Sequence, residues 1–222
     1  MDALAQLAPV AAPLLRDVDQ ALLTLGAPPA HPVWRVLGRV GASPADVVAF
    51  VADLEPARLR AAATALREQA AAYEQTSIPS DAPWEGETAR FYTTAAAAAR
   101  DHLAGESASL TTRLRRQASY VERFAEWQQA LRDALARALA QVMTSSQAVT
   151  LRSRAVRPGE IDGFATTVQA AADIAVVLLG VAEDAAAAGR AVVGRAEGLN
   201  ELVYRANLSA DPITGSGTIR LD

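Results

Sequence analysis

The chain of 222 residues contains no cysteine and no lysine. Without cysteine it can form neither disulfides nor thiolate metal sites, and cysteine usage says nothing about its redox compartment. All 21 basic residues are arginine, a bias typical of a GC-rich genome that says little about mechanism. Aromatic residues make up only 5% of the chain, whereas alanine is abundant, which favours closely packed helices over a sheet. The expected fold class is all-α.

Recognisable motifs for chemistry are also missing. The two histidines, His31 and His102, do not belong to any metal-binding spacing. The sequence contains no serine nucleophile elbow, phosphate-binding loop or dinucleotide fingerprint. We therefore expect a protein that is not an enzyme, has no catalytic residue and holds neither a cofactor nor a metal ion.

Charge and hydropathy bear on two further classes of partner. The formal net charge of −4 provides no general field for a polyanion, so we expect no nucleic-acid binding. The longest apolar run, 174–182, is closed by Asp173 and Glu183 and is shorter than the about 20 residues that span a bilayer. We therefore expect no transmembrane segment and do not favour membrane contact.

The N-terminus bears on localisation. The first residues, Met1-Asp2-Ala3-Leu4, lack the basic region and the apolar core of a classical secretory signal. We expect a protein that is cytoplasmic, or one that is secreted without a classical signal peptide.

Two apolar seams with helical spacing dominate the middle of the chain. The first seam consists of Leu59, Ala63, Leu66, Ala70 and Tyr73. The second consists of Leu110, Leu114, Gln117, Val121, Phe124, Gln128, Leu131, Leu135, Ala138 and Val142. Its two glutamines are expected to be buried and to set register or partner choice at a cost in stability.

A break containing a Trp-x-Gly tripeptide separates the two seams. Residues 77–83 include two prolines and cannot continue a helix, and Trp84-Glu85-Gly86 follows them. Two seams joined by a short turn predict an antiparallel helical hairpin. In this arrangement Trp84 would close the open end of the hairpin, and Gly86 would supply a backbone conformation that other residues resist.

This arrangement resembles the WXG family of small helical proteins that type VII (ESX) secretion systems export. In that family a Trp-x-Gly turn joins the two helices of a hairpin, and Trp84 and Gly86 match its two named positions. The resemblance covers roughly residues 44–145 and implies an enlarged member, since minimal members are about half this length. None of the four tyrosines is followed four positions later by Asp or Glu, so the family's secretion signature is absent.

The domain organisation that we predict is a single elongated bundle of four to six helices. Residues 1–42 form N-terminal helices, 43–145 the WXG-like hairpin, 146–163 a loop, 164–208 a C-terminal helix and 209–222 a flexible tail. Ser43 is placed to cap a helix that starts at Pro44.

The resemblance implies a non-enzymatic secretion substrate or secretion-associated protein that acts through helix–helix association. Its partner would be another helical protein, a second copy of the chain or the type VII machinery. The expected interface residues are Leu59, Leu66, Tyr73, Leu110, Leu114, Gln117, Val121, Phe124, Gln128, Leu131 and Leu135. Two alternatives stay open: a membrane-active or ring-forming helical protein, and a cytosolic chaperone or immunity partner of a secreted toxin.

Overall fold

A computed structural model describes residues 2–79, 84–105, 109–154 and 163–196. These residues form eight helices and contain no strand, which confirms the all-α prediction. The helices are α1 (Ala3–Leu25), α2 (Val33–Val40), α3 (Pro44–Ala52), α4 (Pro56–Glu74), α5 (Glu87–Ala104), α6 (Leu110–Met143), α7 (Ser146–Arg154) and α8 (Gly163–Gly194).

Side chains and glycines at the helix ends explain most of these boundaries. The Asp2 carboxylate accepts the backbone N–H groups of the first turn of α1, and the hydroxyls of Ser43 and Ser109 do the same for α3 and α6. Gly26 and Gly41 end α1 and α2 with positive φ, a conformation that glycine adopts without strain. Local sequence therefore sets where these helices begin and end.

The hydrophobic core surrounds α8, which contacts α1, α2, α3, α6 and α7. Leu178 and Leu179 of α8 are fully buried, and they share this core with Leu135 and Leu139 of α6 and Val18 of α1. Each such side chain contributes about 1.5–3 kcal/mol to stability when it is removed from water. Among the long helices that the structure describes, the most apolar one is thus also the centre of this core.

The helix that pairs with α4 is α6, and the two run antiparallel. Arg67 forms an ion pair with Glu122, and Glu74, seven residues further along α4, pairs with Arg115, seven residues earlier on α6. The Glu74 Oε2 to Arg115 Nη2 distance is 2.6 Å. These contacts place the first predicted seam against the second.

The position of α5 differs from the predicted hairpin. The Trp-x-Gly segment leads from α4 into α5, which has only one buried residue, Ala96, and few contacts with α4 or α6. A whole helix, α5, therefore lies along the chain between the two paired helices. The physical reason is composition: α5 is mostly alanine and threonine, whereas α6 offers leucine and aromatic side chains that bury more area.

The loop predicted for residues 146–163 is partly wrong, because residues 146–154 form α7. The hydroxyl of Ser145 accepts the N–H of Ala148 at 3.2 Å and caps this helix. Ala148 and Leu151 are buried against the core. Two buried residues three apart are too short a pattern to stand out in the sequence. The last described residue is 196, so the predicted tail at 209–222 and the part of the predicted last helix from 197 to 208 lie outside the described residues.

The predicted localisation, cytoplasmic or secreted and without any segment able to span a membrane, is contradicted by one helix. The stretch Phe164–Gly194 of α8, 31 residues with a mean hydropathy of 1.8 in its most apolar window, is long and apolar enough to cross a membrane. Half of that window is buried inside the fold, and a buried core helix meets the same criteria of length and composition. The sequence argument stopped at Asp173 and Glu183, although a spanning helix tolerates an occasional charge. No localisation follows from this helix alone.

Candidate association surface

Trp84 lies on the surface beside the start of α5. Its side chain is 45% exposed, and its ring contacts that of Tyr92 with centroids 5.5 Å apart. The Tyr92 hydroxyl donates a hydrogen bond to the carbonyl of Pro79 at 3.4 Å, which ties this aromatic pair to the segment after α4. Trp84 therefore packs on its own break and leaves nearly half of its surface to solvent.

Gly86 precedes α5 with a φ of +108°, which strains any residue that has a Cβ. Its carbonyl accepts the N–H of Arg90 at 3.3 Å and so starts the helix. Apart from the two chain neighbours, no described residue has an atom within 4 Å of the position where a Cβ would be, so the requirement for glycine here comes from backbone conformation. The tripeptide turns the chain and exposes Trp84 at the same place.

A stripe of uncovered residues continues from Trp84 along one face of α5. Phe91 is 64% exposed, and Thr88, Ala95 and Ala98 are exposed at the three- and four-residue spacing that places them on the same face as Phe91. We call Trp84, Thr88, Phe91, Ala95 and Ala98 the α5 stripe. The two aromatic side chains of this stripe, Trp84 and Phe91, alternate with small side chains, and a second helix can pack closely on such a surface.

The residues predicted for the interface are used largely inside the fold. Leu114, Leu131 and Leu135 are buried, and the last two belong to the core around α8. The partly buried members are Leu59, Leu66, Tyr73, Leu110, Val121 and Phe124. The seams therefore pack mainly against other parts of the same chain.

Gln117 is an exception, because it is exposed and does not lie in the seam. Ala118, the residue after Gln117, is buried in its place, and Ala125, the residue after Phe124, is buried as well. A straight helix of 3.6 residues per turn drifts away from a seven-residue repeat, so the buried face moves to the next residue along α6. The role proposed for Gln117 in setting register is incompatible with its exposure.

Gln128 is buried, as the seam predicts, and its amide oxygen has no hydrogen-bond partner among the described residues. A buried acceptor without a partner costs roughly 1–3 kcal/mol. This cost is the penalty that accompanies a polar residue in a helix seam, and it makes Gln128 the one glutamine to which the register hypothesis still applies.

Comparisons with known proteins add no relative to this picture. No family model matches the chain, and no curated protein or solved structure matches it either. The resemblance to WXG proteins therefore rests on Trp84, Gly86 and the two seams alone.

Arg132, which the sequence analysis did not single out, is the most heavily bonded side chain of α6. It is 4% exposed, and its Nη1 donates to the carbonyls of Val51, Ala52 and Leu54 at 2.7 Å each. Its Nε donates to Asp2 Oδ2 at 2.7 Å. The signal in the sequence is an arginine beside Leu131 in an otherwise apolar seam, where a charge must find partners if it is buried.

Two further contacts hold α2 on α8. His31, just before α2, forms a hydrogen bond with Asp173 at 3.1 Å, and Arg39, in its last turn, pairs with Glu183. The hydrogen bond and charge of Arg39 hold the pKa of Glu183 below its usual value, even though partial desolvation acts in the opposite direction. The two acidic residues that close the apolar run of α8 are thus each partnered by a side chain from the α2 segment.

Chemical machinery is sparse in the described part of the chain. In the residues that the structure describes, no three acidic, histidine or cysteine side chains converge on a point that could hold a metal ion. His102, the second histidine, lies near the end of α5, far along the sequence from His31.

Proposed function

We propose that the protein acts without catalysis, through helix–helix association, as a substrate or an associated factor of a type VII (ESX-like) secretion system. The observation that carries the proposal is the α5 stripe, an apolar surface that begins at the Trp-x-Gly tripeptide and that the other described parts of the chain leave exposed. The resemblance to the WXG family supplies the pathway, and the exposed stripe supplies the surface.

The α5 stripe suits this role better than the seams do. Leu131 and Leu135 are buried in the core, so a partner could reach them only if the fold opened. Trp84 and Phe91 are already exposed, and aromatic side chains contribute strongly to the stability of protein interfaces. A helical partner, a second copy of the chain or a component of the machinery could pack on them without unfolding.

The test is whether release of the protein into the medium, or its cross-linking to the secretion machinery, depends on the secretion ATPase. The tagged chain would be expressed in a host that has a type VII system and in the same host without the ATPase. Washed culture medium would be blotted beside a marker of cell lysis, and intact cells would be cross-linked. ATPase-dependent release supports a substrate, and a cross-link to the machinery without release supports an associated factor. Absence of both contradicts the proposal.

Phe91→Ala has a closely matched control in Phe50→Ala. The two rings are 64% and 65% exposed, on α5 and α3 respectively, so the variants remove similar exposed surface from different places. We expect Phe91→Ala to lower the amount of cross-linked or released protein at least about tenfold, as loss of an interface anchor does. Phe50→Ala should leave both amounts unchanged. Equal effects of the two variants would argue against the α5 stripe.

A membrane-active protein is the second candidate, and α8 is the observation that favours it. Its length and apolar character meet the requirement for a span, but α1, α2, α6 and α7 cover it in the fold. Insertion would therefore require these helices, α2 among them, to leave α8. If so, Arg39→Ala should increase flotation with liposomes relative to the unsubstituted chain, whereas Arg60→Ala, at an exposed position on α4, should not. A protein that stays at the bottom of the gradient in every form excludes this role.

A further inference from the structure

Two cavities between α7 and α8 have Gln147 and Asp173 as common lining residues. The smaller, about 140 Å³, also borders the end of α6, and the larger, about 360 Å³, extends toward the start of α8. The larger cavity alone lies within the size range of small-molecule sites. Hydroxyl and amide groups from Ser145, Ser146 and Gln169 contribute to their walls. No arginine side chain among the described residues lines either cavity.

Asp173 is held in a defined orientation where the cavities meet. The Nδ1 atom of His31 accepts the N–H of Val33 at 3.2 Å, so Nε2 carries the ring hydrogen and donates to Asp173 Oδ1 at 3.1 Å. Gln169 Nε2 donates to the same oxygen at 2.9 Å. Among the described residues no hydrogen bond ends on Oδ2. The carboxylate is therefore oriented by two neutral donors, and one oxygen remains for a ligand.

We propose that this site binds a single organic cation, an ammonium or guanidinium group, with Asp173 as its counter-ion. The carboxylate accepts hydrogen bonds from the Nε2–H of His31 and the amide of Gln169, and no arginine side chain that the structure describes pairs with it. A charged donor at Oδ2 would form a charge-assisted hydrogen bond, which is stronger than a neutral one. The surrounding hydroxyls and amides suit the remaining N–H groups of such a ligand, and the cavities leave room for its alkyl chain.

The probe is n-butylammonium, titrated into the isotope-labelled full-length chain and followed by amide chemical shifts. Butan-1-ol serves as the neutral analogue of the same shape. We expect saturable shifts for the amides of Gln147, Gln169 and Asp173 with the ammonium ion and not with the alcohol, and weaker binding at higher salt. This comparison needs no substitution and cannot fail through misfolding. Equal responses to the two probes, or none, would overturn the proposal.

Asp173→Asn isolates the charge, because an asparagine oxygen can still accept from His31 and Gln169. We expect it to weaken butylammonium binding about tenfold or more, whereas Asp184→Asn, an exposed position on the same helix, leaves binding unchanged. Unaltered binding in Asp173→Asn would refute the assignment. The amides of Nα-acetyl-lysine and Nα-acetyl-arginine, which keep the side-chain charge, then distinguish the two sources of the cation. Tighter binding than butylammonium indicates a basic side chain of a peptide, and weaker binding indicates a free amine.

Discussion

Arg132 joins three parts of the chain at one buried position on α6. Its guanidinium satisfies the carboxylate that caps α1 and the carbonyls at the end of α3. We expect Arg132→Met to lower the free energy of unfolding by about 3 kcal/mol, since removal of one partner leaves buried groups unpaired. The free energy of unfolding of Arg132→Lys should lie between those of the unsubstituted protein and Arg132→Met, because one ammonium group cannot make all the hydrogen bonds of the planar guanidinium. Urea unfolding followed by circular dichroism measures both.

Arg137→Met is the matched control on the same helix, because Arg137 is exposed. A surface substitution of this kind should change stability by no more than about 0.5 kcal/mol. Similar losses in Arg132→Met and Arg137→Met would mean that the bonds made by Arg132 are not what stabilises the junction of α1, α3 and α6.

Asp19 and Asp2 give the stability of the protein opposite dependences on pH. Burial, assisted by the charge of Asp46, raises the pKa of Asp19 above 3.8 despite hydrogen bonds from Ser43 and the backbone. Burial also raises the pKa of Asp2, but hydrogen bonds from Arg132 and the first turn of α1 outweigh it, so the net pKa is lowered. Asp2 therefore stabilises the fold above its unfolded pKa, and this stability is lost as the pH falls through its folded pKa.

For Asp19 the sign is reversed. Between 3.8 and its raised pKa the folded state binds more protons than the unfolded state, so stability falls as the pH rises through this range. We expect Asp19→Asn to raise the free energy of unfolding at neutral pH, because Ser43 can still donate to the amide oxygen and no charge is buried. The gain should disappear in acid. Denaturant unfolding across pH tests this, with exposed Asp17→Asn as the control; a gain that persists in acid would contradict it.

At the scale of elements, α6 and α8 approach closely where an indole meets a glycine. Trp127 donates from Nε1 to the carbonyl of Ala185 at 2.8 Å, and its ring also contacts Phe124 with centroids 5.1 Å apart. A Cβ added at Gly189 would lie 2.9 Å from Trp127 Cζ2, which is shorter than any normal contact. The absence of a side chain at Gly189 lets the indole lie on the backbone of α8.

Glycine to alanine inside a helix normally increases stability by up to about 1 kcal/mol, so the sign of the change is informative at these positions. We expect Gly189→Ala to destabilise by about 1–3 kcal/mol, as overpacking does. We expect Gly180→Ala to stabilise, because no described atom outside the backbone of α8 lies within 4 Å of the added Cβ. Melting temperatures of the two variants measure the contrast. Stabilisation by both substitutions would show that Trp127 can move aside at little cost.

The helices themselves were largely predictable because their signals are local. Ser43 before Pro44 predicted the start of α3, and the side chain of Ser43 accepts the N–H of Asp46. The seam of α6 was predicted in its second half, where Leu131 and Leu135 are buried, but it drifted by one residue at Gln117. The short helix α7 was missed because its few buried residues show no extended period.

At the scale of the whole molecule, the pairing of helices was harder to predict. The two seams were expected to meet across the Trp-x-Gly turn, and they do pack together, but α5 intervenes in the chain between them. The α5 stripe could not be anticipated, because an apolar residue is exposed or buried according to what other helices cover. Trp84 was thus located by its motif, whereas its exposure depends on α5 packing only lightly on its neighbours.

The sequence by itself determined the helical class, most helix boundaries and the lack of cysteine and lysine chemistry, because composition, caps and periodicity act within a few residues of chain. The tertiary structure decided that α8 is the packing centre, that Arg132 is buried, and that His31 orients Asp173 across a separation of 142 residues. Each of these outcomes depends on competition among distant segments for the same buried surface. Such competition is settled by the summed packing of the whole fold and leaves little trace in any one stretch of sequence.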